Sequence, residues 1–334
     1  MKIAIVKLSA LGDIVHAMIV LQFIKKNLSN ATIDWVVEEG FKGILINNPD
    51  INQIHTVNIK KAKQEKSFKL LFQEFRKIRQ FGKYDLVIDM QNLVKSAIVS
   101  RIIPSKSTIG LDWESSREGF ASKFYTHAYT VKHSTNVIER NVAITAKALN
   151  IVVSHADILN KQPFLYSSNQ TLFSLISNTK PNVALIVGAS FKSKIYPVEQ
   201  YAQIAAQMDA NFIVLWGGDS ERLMAERMQQ ISPEVRIADK LSLDELKAFI
   251  LQVDLVIGGD TGPTHMAWAL NIPSITLFGS TPGYRNTVAT GINRILESES
   301  KVDPYKIDKN DCSIKTIEVS DIVKITKELL KDKL

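Results

Sequence analysis

Short apolar runs alternate with amphipathic stretches along almost the whole chain, and no other feature limits the fold as tightly. In the first half, strands are predicted at residues 2–6, 32–37, 54–57 and 85–89, with helices near 14–28, 41–47 and 67–81. In the second half, strands are predicted at 183–187, 212–216, 234–237, 255–258 and 274–278. Helices there fall near 197–208, 220–230, 242–251 and 264–270, and Ser242-Leu243-Asp244-Glu245 forms a capping box that fixes one start. Runs such as Leu255-Val256-Ile257 suit buried parallel strands, so the alternation predicts parallel sheets covered by helices on both faces. The fold class is therefore α/β, with two doubly wound Rossmann-like domains facing a central cleft.

At 334 residues the chain can bury two cores. A polar, irregular stretch near 152–181 separates the halves. The expected division is a first domain at 1–160, a linker at 161–181 and a second domain at 182–318. A C-terminal helix within 319–334 is left free to pack back on the first domain. A hydrophobic share of 45% and a charged share of 22% describe a soluble globular chain. The single cysteine, Cys312, excludes an internal disulfide and fits a reducing compartment. With no signal peptide and no apolar run near a membrane span, the expected location is the cytoplasm.

Net charge is +7, which points to an anionic partner. Lys60, Lys61, Lys63, Lys66 and Lys69 concentrate that charge. They form either a solvated face or a docking patch for an anionic surface. A nucleic-acid partner is not expected, because only Phe68 and Phe72 accompany the cluster and no known module is present.

The turn Gly258-Gly259-Asp260-Thr261-Gly262 joins a predicted strand to a helix that begins at about Thr264 and includes His265. It reads either as an Asp-capped turn or as a phosphate site, since a helix N-terminus offers unsatisfied amides and partial positive charge. Gly12-Asp13 occupies the equivalent place after the first strand, where Asp13 is a helix cap or a carboxylate able to act as a base. Of Lys192 and Lys194, alternation lets only one point inward. Glu221 is placed to accept ribose hydroxyls or to be a plain first-turn carboxylate. Arg140 reads preferentially as a helix-surface ion pair, with a cleft position as the alternative. Neither a Gly-x-Gly-x-x-Gly nor a phosphate-loop Gly-Lys-Ser/Thr occurs. Asp-x-Asp is also absent, so no metal cofactor is expected, and Lys194 with the helix ends is left to meet phosphate charge.

Taken together, Val6-Lys7-Leu8-Ser9-Ala10-Leu11-Gly12-Asp13, Trp35-Val36-Val37-Glu38-Glu39-Gly40-Phe41 and Ile88-Asp89-Met90-Gln91-Asn92 resemble the inverting heptosyltransferases of lipopolysaccharide core assembly. Gly110-Leu111-Asp112-Trp113 with Arg117, and Gly259-Asp260-Thr261-Gly262 with His265, extend the resemblance over nearly the whole chain. It is most specific for the branch that acts on the inner Kdo. The resemblance implies a B-type glycosyltransferase fold, an ADP-heptose donor, and a Kdo-lipid A acceptor at the cytoplasmic face of the inner membrane. It implies that Asp13 is the general base and that Lys194 stabilises the donor phosphates. Asp260, Thr261, Gly262 and His265 would meet pyrophosphate and heptose, Glu221 the ribose and Leu241 the adenine. Ala189 and Ser190 match a donor-contacting pair of threonines, so Ala189 offers only its backbone. Lys60, Lys61, Lys63 and Arg117 match acceptor-binding positions, where Gln64 replaces a basic residue. The alternatives are a heptosyltransferase acting on a later acceptor, or a nucleotide-sugar-binding protein without catalysis.

Overall fold

The computed structural model describes residues 1–169, 173–303, 307–331 and 333. Residues 170–172 of the expected linker, 304–306 of the second domain, and 332 and 334 of the closing stretch lie outside the described residues. The chain divides into two compact units, Met1–Phe164 and Leu165–Leu334, so the boundary falls inside the expected linker.

Unit 1 contains strands β1 (Lys2–Val6), β2 (Thr32–Glu38), β3 (Gln53–Val57), β4 (Tyr84–Asp89), β5 (Ser105–Leu111) and β6 (His127–Tyr129). Its helices are α1 (Leu11–Met18), α2 (Val20–Asn27), α3 (Lys42–Leu45), α4 (Ile59–Gln64) and α5 (Phe68–Ile78). They are followed by α6 (Val94–Ile102), α7 (Val137–Leu149) and α8 (His155–Leu159). The helix expected over 14–28 is thus two helices that meet at Ile19. All pairings in this sheet are parallel, in the order β3-β2-β1-β4-β5-β6.

Unit 2 contains β7 (Asn182–Ile186), β8 (Asn211–Leu215), β9 (Arg236–Ile237), β10 (Leu255–Gly259), β11 (Ser274–Phe278) and β12 (Asn293–Glu297). Its helices are α9 (Val198–Ala205), α10 (Asp219–Ile231), α11 (Leu243–Ile250), α12 (Gly262–Ala269), α13 (Gly283–Asn286) and α14 (Val319–Leu329). The sheet is again parallel, ordered β12-β11-β10-β7-β8-β9. Counted from each unit's first strand, both sheets share the order 3-2-1-4-5-6, although no repeat shows in the sequence.

The central strands are apolar and buried on both faces, as in β7, β8, β10 and β11, where every residue is buried. At roughly 1.5–3 kcal/mol for each large apolar side chain removed from water, these layers dominate the stability of each unit. Helix α14 contributes Val319, Ile322 and Val323 to the core cluster of β7, β8, β10 and β11 inside unit 2. The capping box at α11 forms as the sequence demands, with Ser242 Oγ accepting the Glu245 amide and Glu245 Oε2 accepting the Ser242 amide.

Candidate functional site

An open parallel sheet binds ligands beyond its carboxyl edge, where the strand order reverses. In unit 2 that point lies between β7 and β10, whose ends are aligned by the Gly258–Ile186 pairing. The chain leaving β10 supplies Asp260, Thr261 and the start of α12; the chain leaving β7 supplies Gly188, Ala189, Ser190 and a 3₁₀ turn at Lys192–Lys194. Helix α12 begins at Gly262, two residues earlier than expected, because Pro263 fits a first turn whose amides need no helical partner. The Gly262 and Thr264 amides precede the first helical bond, from the His265 amide to the Thr261 carbonyl at 3.2 Å.

Asp260 is the centre of this edge. Its Oδ2 accepts from Lys194 Nζ at 2.5 Å, Thr281 Oγ1 at 2.9 Å and Asn286 Nδ2 at 3.1 Å. Its Oδ1 shares a 3.0 Å hydrogen bond with His265 Nε2. Burial pushes the Asp260 carboxyl up, but the His265 hydrogen bond and the Lys194 ammonium outweigh it and hold the group well below the ordinary carboxylate range. With both oxygens engaged, Asp260 acts on a ligand through the side chains it holds, the Lys194 ammonium above all. Lys194 points inward and its side chain is only 12% exposed, whereas Lys192 is exposed. Thr281, after β11, and Asn286, on α13, did not stand out in the sequence, because neither belongs to a motif and both approach from another strand's loop.

The neighbouring loops follow β7, β8 and β9. Glu221, in the first turn of α10, accepts the Gly217 amide through Oε2 at 2.7 Å. A Cβ built on Gly188 would lie 2.0 Å from Glu221 Oε1, so glycine lets that carboxylate lie over the end of β7. Gly259 has the same role beneath the turn holding Lys194, because its Cβ would meet the Lys194 carbonyl oxygen at 2.4 Å. Trp216 Nε1 donates to the Ala238 carbonyl at 2.7 Å and ties the loops after β8 and β9 together. Leu241, half-buried, lies just beyond Ala238, while Ala189 is half-buried and Ser190 exposed.

In unit 1 the strand order reverses between β1 and β4. Gln91, after β4, accepts the Leu8 and Ser9 amides at 3.1 Å each and so fixes the loop leading into α1. Asp13 is exposed in the first turn of α1, with Oδ2 accepting the Ala10 amide at 3.3 Å. The cap and the solvent-accessible carboxylate are therefore the same arrangement. Lys7 is buried at the end of β1 and donates to the Met90 carbonyl at 3.0 Å. Burial lowers its pKa, against the pull of Asp13 and Asp89.

Lys60, Lys61 and Lys63 are exposed on α4, beyond the end of β3, and Arg117 is exposed in the loop after β5. Glu38 anchors the start of α4, accepting the Lys60 amide at 3.1 Å and pairing with Lys95 at 3.2 Å. Arg140, on α7, engages main-chain carbonyls. Its guanidinium donates to the carbonyls of Val131, Lys132 and Ser115 at 3.2, 2.7 and 2.7 Å, bracing the loops beyond β5 and β6. Nothing in the sequence near Arg140 distinguishes those carbonyls from a surface carboxylate.

Residues 72–306 match the profile of glycosyltransferase family 9 (heptosyltransferase). Lipopolysaccharide heptosyltransferase 1 of Campylobacter coli is 40% identical, with 99% of this chain and 100% of that protein aligned. Lipopolysaccharide heptosyltransferase 1 of Pseudomonas aeruginosa is 30% identical, with 85% of this chain and 80% of that protein aligned. Among solved structures, E. coli heptosyltransferase WaaC with ADP superposes with a TM-score of 0.81 at 22% identity, covering 98% of this chain and 100% of that one. This last likeness bears on the fold, and it matches the two-sheet B-type architecture.

Proposed function

The chain belongs to glycosyltransferase family 9, the heptosyltransferases, and on that premise we propose that it moves L-glycero-D-manno-heptose from ADP-heptose to the inner Kdo of Kdo-lipid A. The observation that carries the donor half is the Asp260 cluster, where one buried carboxylate aims an ammonium and an imidazole beside the start of α12. Such fixed positive groups suit a diphosphate that gains charge as it leaves. Lys194, His265 and the Gly262 and Thr264 amides then stabilise ADP, and Glu221 takes the ribose hydroxyls. Leu241 lies against adenine, and Ala189 contributes its backbone beside the Ser190 hydroxyl.

The transfer is a single displacement with inversion. A Kdo hydroxyl oxygen attacks the anomeric carbon, the bond from that carbon to the phosphate oxygen breaks, and ADP departs with the electron pair. Asp13 accepts the hydroxyl proton as the new bond forms. Neighbouring strands lie about 4.8 Å apart, so β3, which leads to the lysines, and β5, which leads to Arg117, each run about 10 Å from β1, which leads to Asp13, on opposite sides of it. A broad anionic acceptor fits that spread better than a single small sugar. No divalent metal takes part in this scheme, because Lys194 and the α12 amides meet the leaving-group charge. The enzyme works peripherally at the cytoplasmic face of the inner membrane. Among the described residues no helix is long and apolar enough to cross a membrane.

A coupled ADP-release assay tests the reading, run on Kdo-lipid A and on an already heptosylated acceptor, with and without chelator. ADP release should require both substrates, favour the unheptosylated acceptor and ignore the chelator. Preference for the heptosylated acceptor would move the chain to a later step. Donor binding without turnover on any acceptor would make it a binding protein.

A further inference from the structure

Helix α5 has two different apolar sets. Leu71, Phe75 and Ile78 pack against the unit 1 core, but Phe68 is 87% exposed and Phe72 63% exposed. Those two are four residues apart and so stand one above the other on the helix surface. Single exposed aromatics are ordinary; two adjacent ones among cations call for a partner. Residues 59–80 carry eight basic and two acidic side chains, a net +6 out of the chain's +7. Lys66, Lys69 and Arg76 are exposed in this segment. The chain enters it directly from the carboxyl end of β3, the same sheet edge that carries Asp13.

We propose that Phe68 and Phe72 insert into the headgroup boundary of an anionic lipid bilayer while the surrounding lysines pair with its phosphates. An apolar pair within a cationic rim matches that boundary, since the bilayer satisfies both kinds of side chain at once. A protein partner would not need so concentrated a positive field. Insertion there turns the Asp13 edge of unit 1 toward lipid. The benefit of that orientation rests on the lipid-borne acceptor of the reading above; the insertion itself does not.

The full chain is sedimented with vesicles of phosphatidylcholine alone and with about one third phosphatidylglycerol, neither containing Kdo nor lipid A. The protein should bind the anionic vesicles, release at high salt and bind neutral ones at least about tenfold more weakly. F68S/F72S should weaken binding to anionic vesicles by about tenfold or more, with an unchanged melting curve. K66E/K69E should lose binding to the same vesicles. On a water-soluble, delipidated Kdo acceptor, F68S/F72S should turn over as the parent does. If neither protein turns over, the substrate reading fails while the vesicle result still stands. Equal vesicle binding by F68S/F72S and the parent overturns the insertion, as does no binding by the parent. A parent dimer that F68S/F72S abolishes, without vesicle binding, also overturns it.

Discussion

Replacing Asp260 with asparagine keeps the side-chain shape and removes the charge that organises the donor edge. Lys194 Nζ lies 2.5 Å from Oδ2 with 12% of its side chain exposed, so the variant leaves a nearly dry ammonium without its counter-ion. At an effective dielectric near 20, charges at this separation attract by about 7 kcal/mol, much of which offsets the cost of desolvating both ions. Removing one partner leaves the other ion's desolvation uncompensated, a loss of about 3–5 kcal/mol. For a unit of this size each kcal/mol moves the midpoint by about 2–4 °C, so D260N should lower Tm by about 6–20 °C. K194M removes the opposite charge, yet Asp260 keeps His265, Thr281 and Asn286 as partners, so its loss should be smaller. The double variant should be more stable than the sum of the two losses by about 1–3 kcal/mol. Chemical denaturation followed by circular dichroism measures all four proteins. The pH dependence supplies a second check. Because folding depresses the Asp260 pKa, its contribution is complete above the unfolded value near 3.9 and fades as pH falls below it. The gap between parent and D260N should therefore persist at pH 6 and close only in acid below about pH 4. An additive cycle, or a gap already closed at pH 6, would refute the central role of this carboxylate.

Other side chains carry three further expected outcomes. D13N should lower kcat by about 10²–10⁴-fold in the coupled ADP-release assay and leave donor KM unchanged; unaltered turnover removes Asp13 as the base. G188A and G259A should separate two effects. The first displaces only the Glu221 side chain and should raise donor KM with little loss of stability. The second strikes the Lys194 carbonyl, so kcat and Tm should fall together; equal behaviour of the pair contradicts this. Lys161 is buried and its pKa is lowered to about 8, so the fold disfavours its charge. K161M should stabilise the protein at pH 7 by about 1–3 kcal/mol in urea melts. The parent, in turn, should gain stability between about pH 8 and 10.5, where the unfolded chain binds more protons; a flat profile counts against burial as the cause.

Much of the fold was legible because central strands must be apolar on both faces. Strands β1, β2, β4, β7, β8, β10 and β11 each announce themselves in this way. Strands β5, β6 and β12 do not. The first opens Ser105-Lys106-Ser107, the second has three residues and the third is a half-exposed edge strand, so burial places little demand on their composition. The final helix was readable as an amphipathic element, but its destination was not, because a stripe of valine and isoleucine fits any apolar surface.

Amino-acid order alone was enough for the α/β class, the two-unit plan, the family resemblance, and the chemical types at the strand ends: Asp13, Lys194, Glu221, Asp260 and His265. Local pattern suffices there, since periodicity encodes each element and its buried face, and a turn motif encodes the side chains presented at a strand's carboxyl end. Tertiary packing was needed to select Lys194 over Lys192 and to join it to Asp260 across 66 residues. The same packing brought Thr281 and Asn286 onto that carboxylate from 21 and 26 residues away, and it turned Arg140 toward main-chain carbonyls. These contacts depend on strand order and on which loops share a sheet edge. Strand order is fixed by how whole layers pack, and no local run of residues carries it.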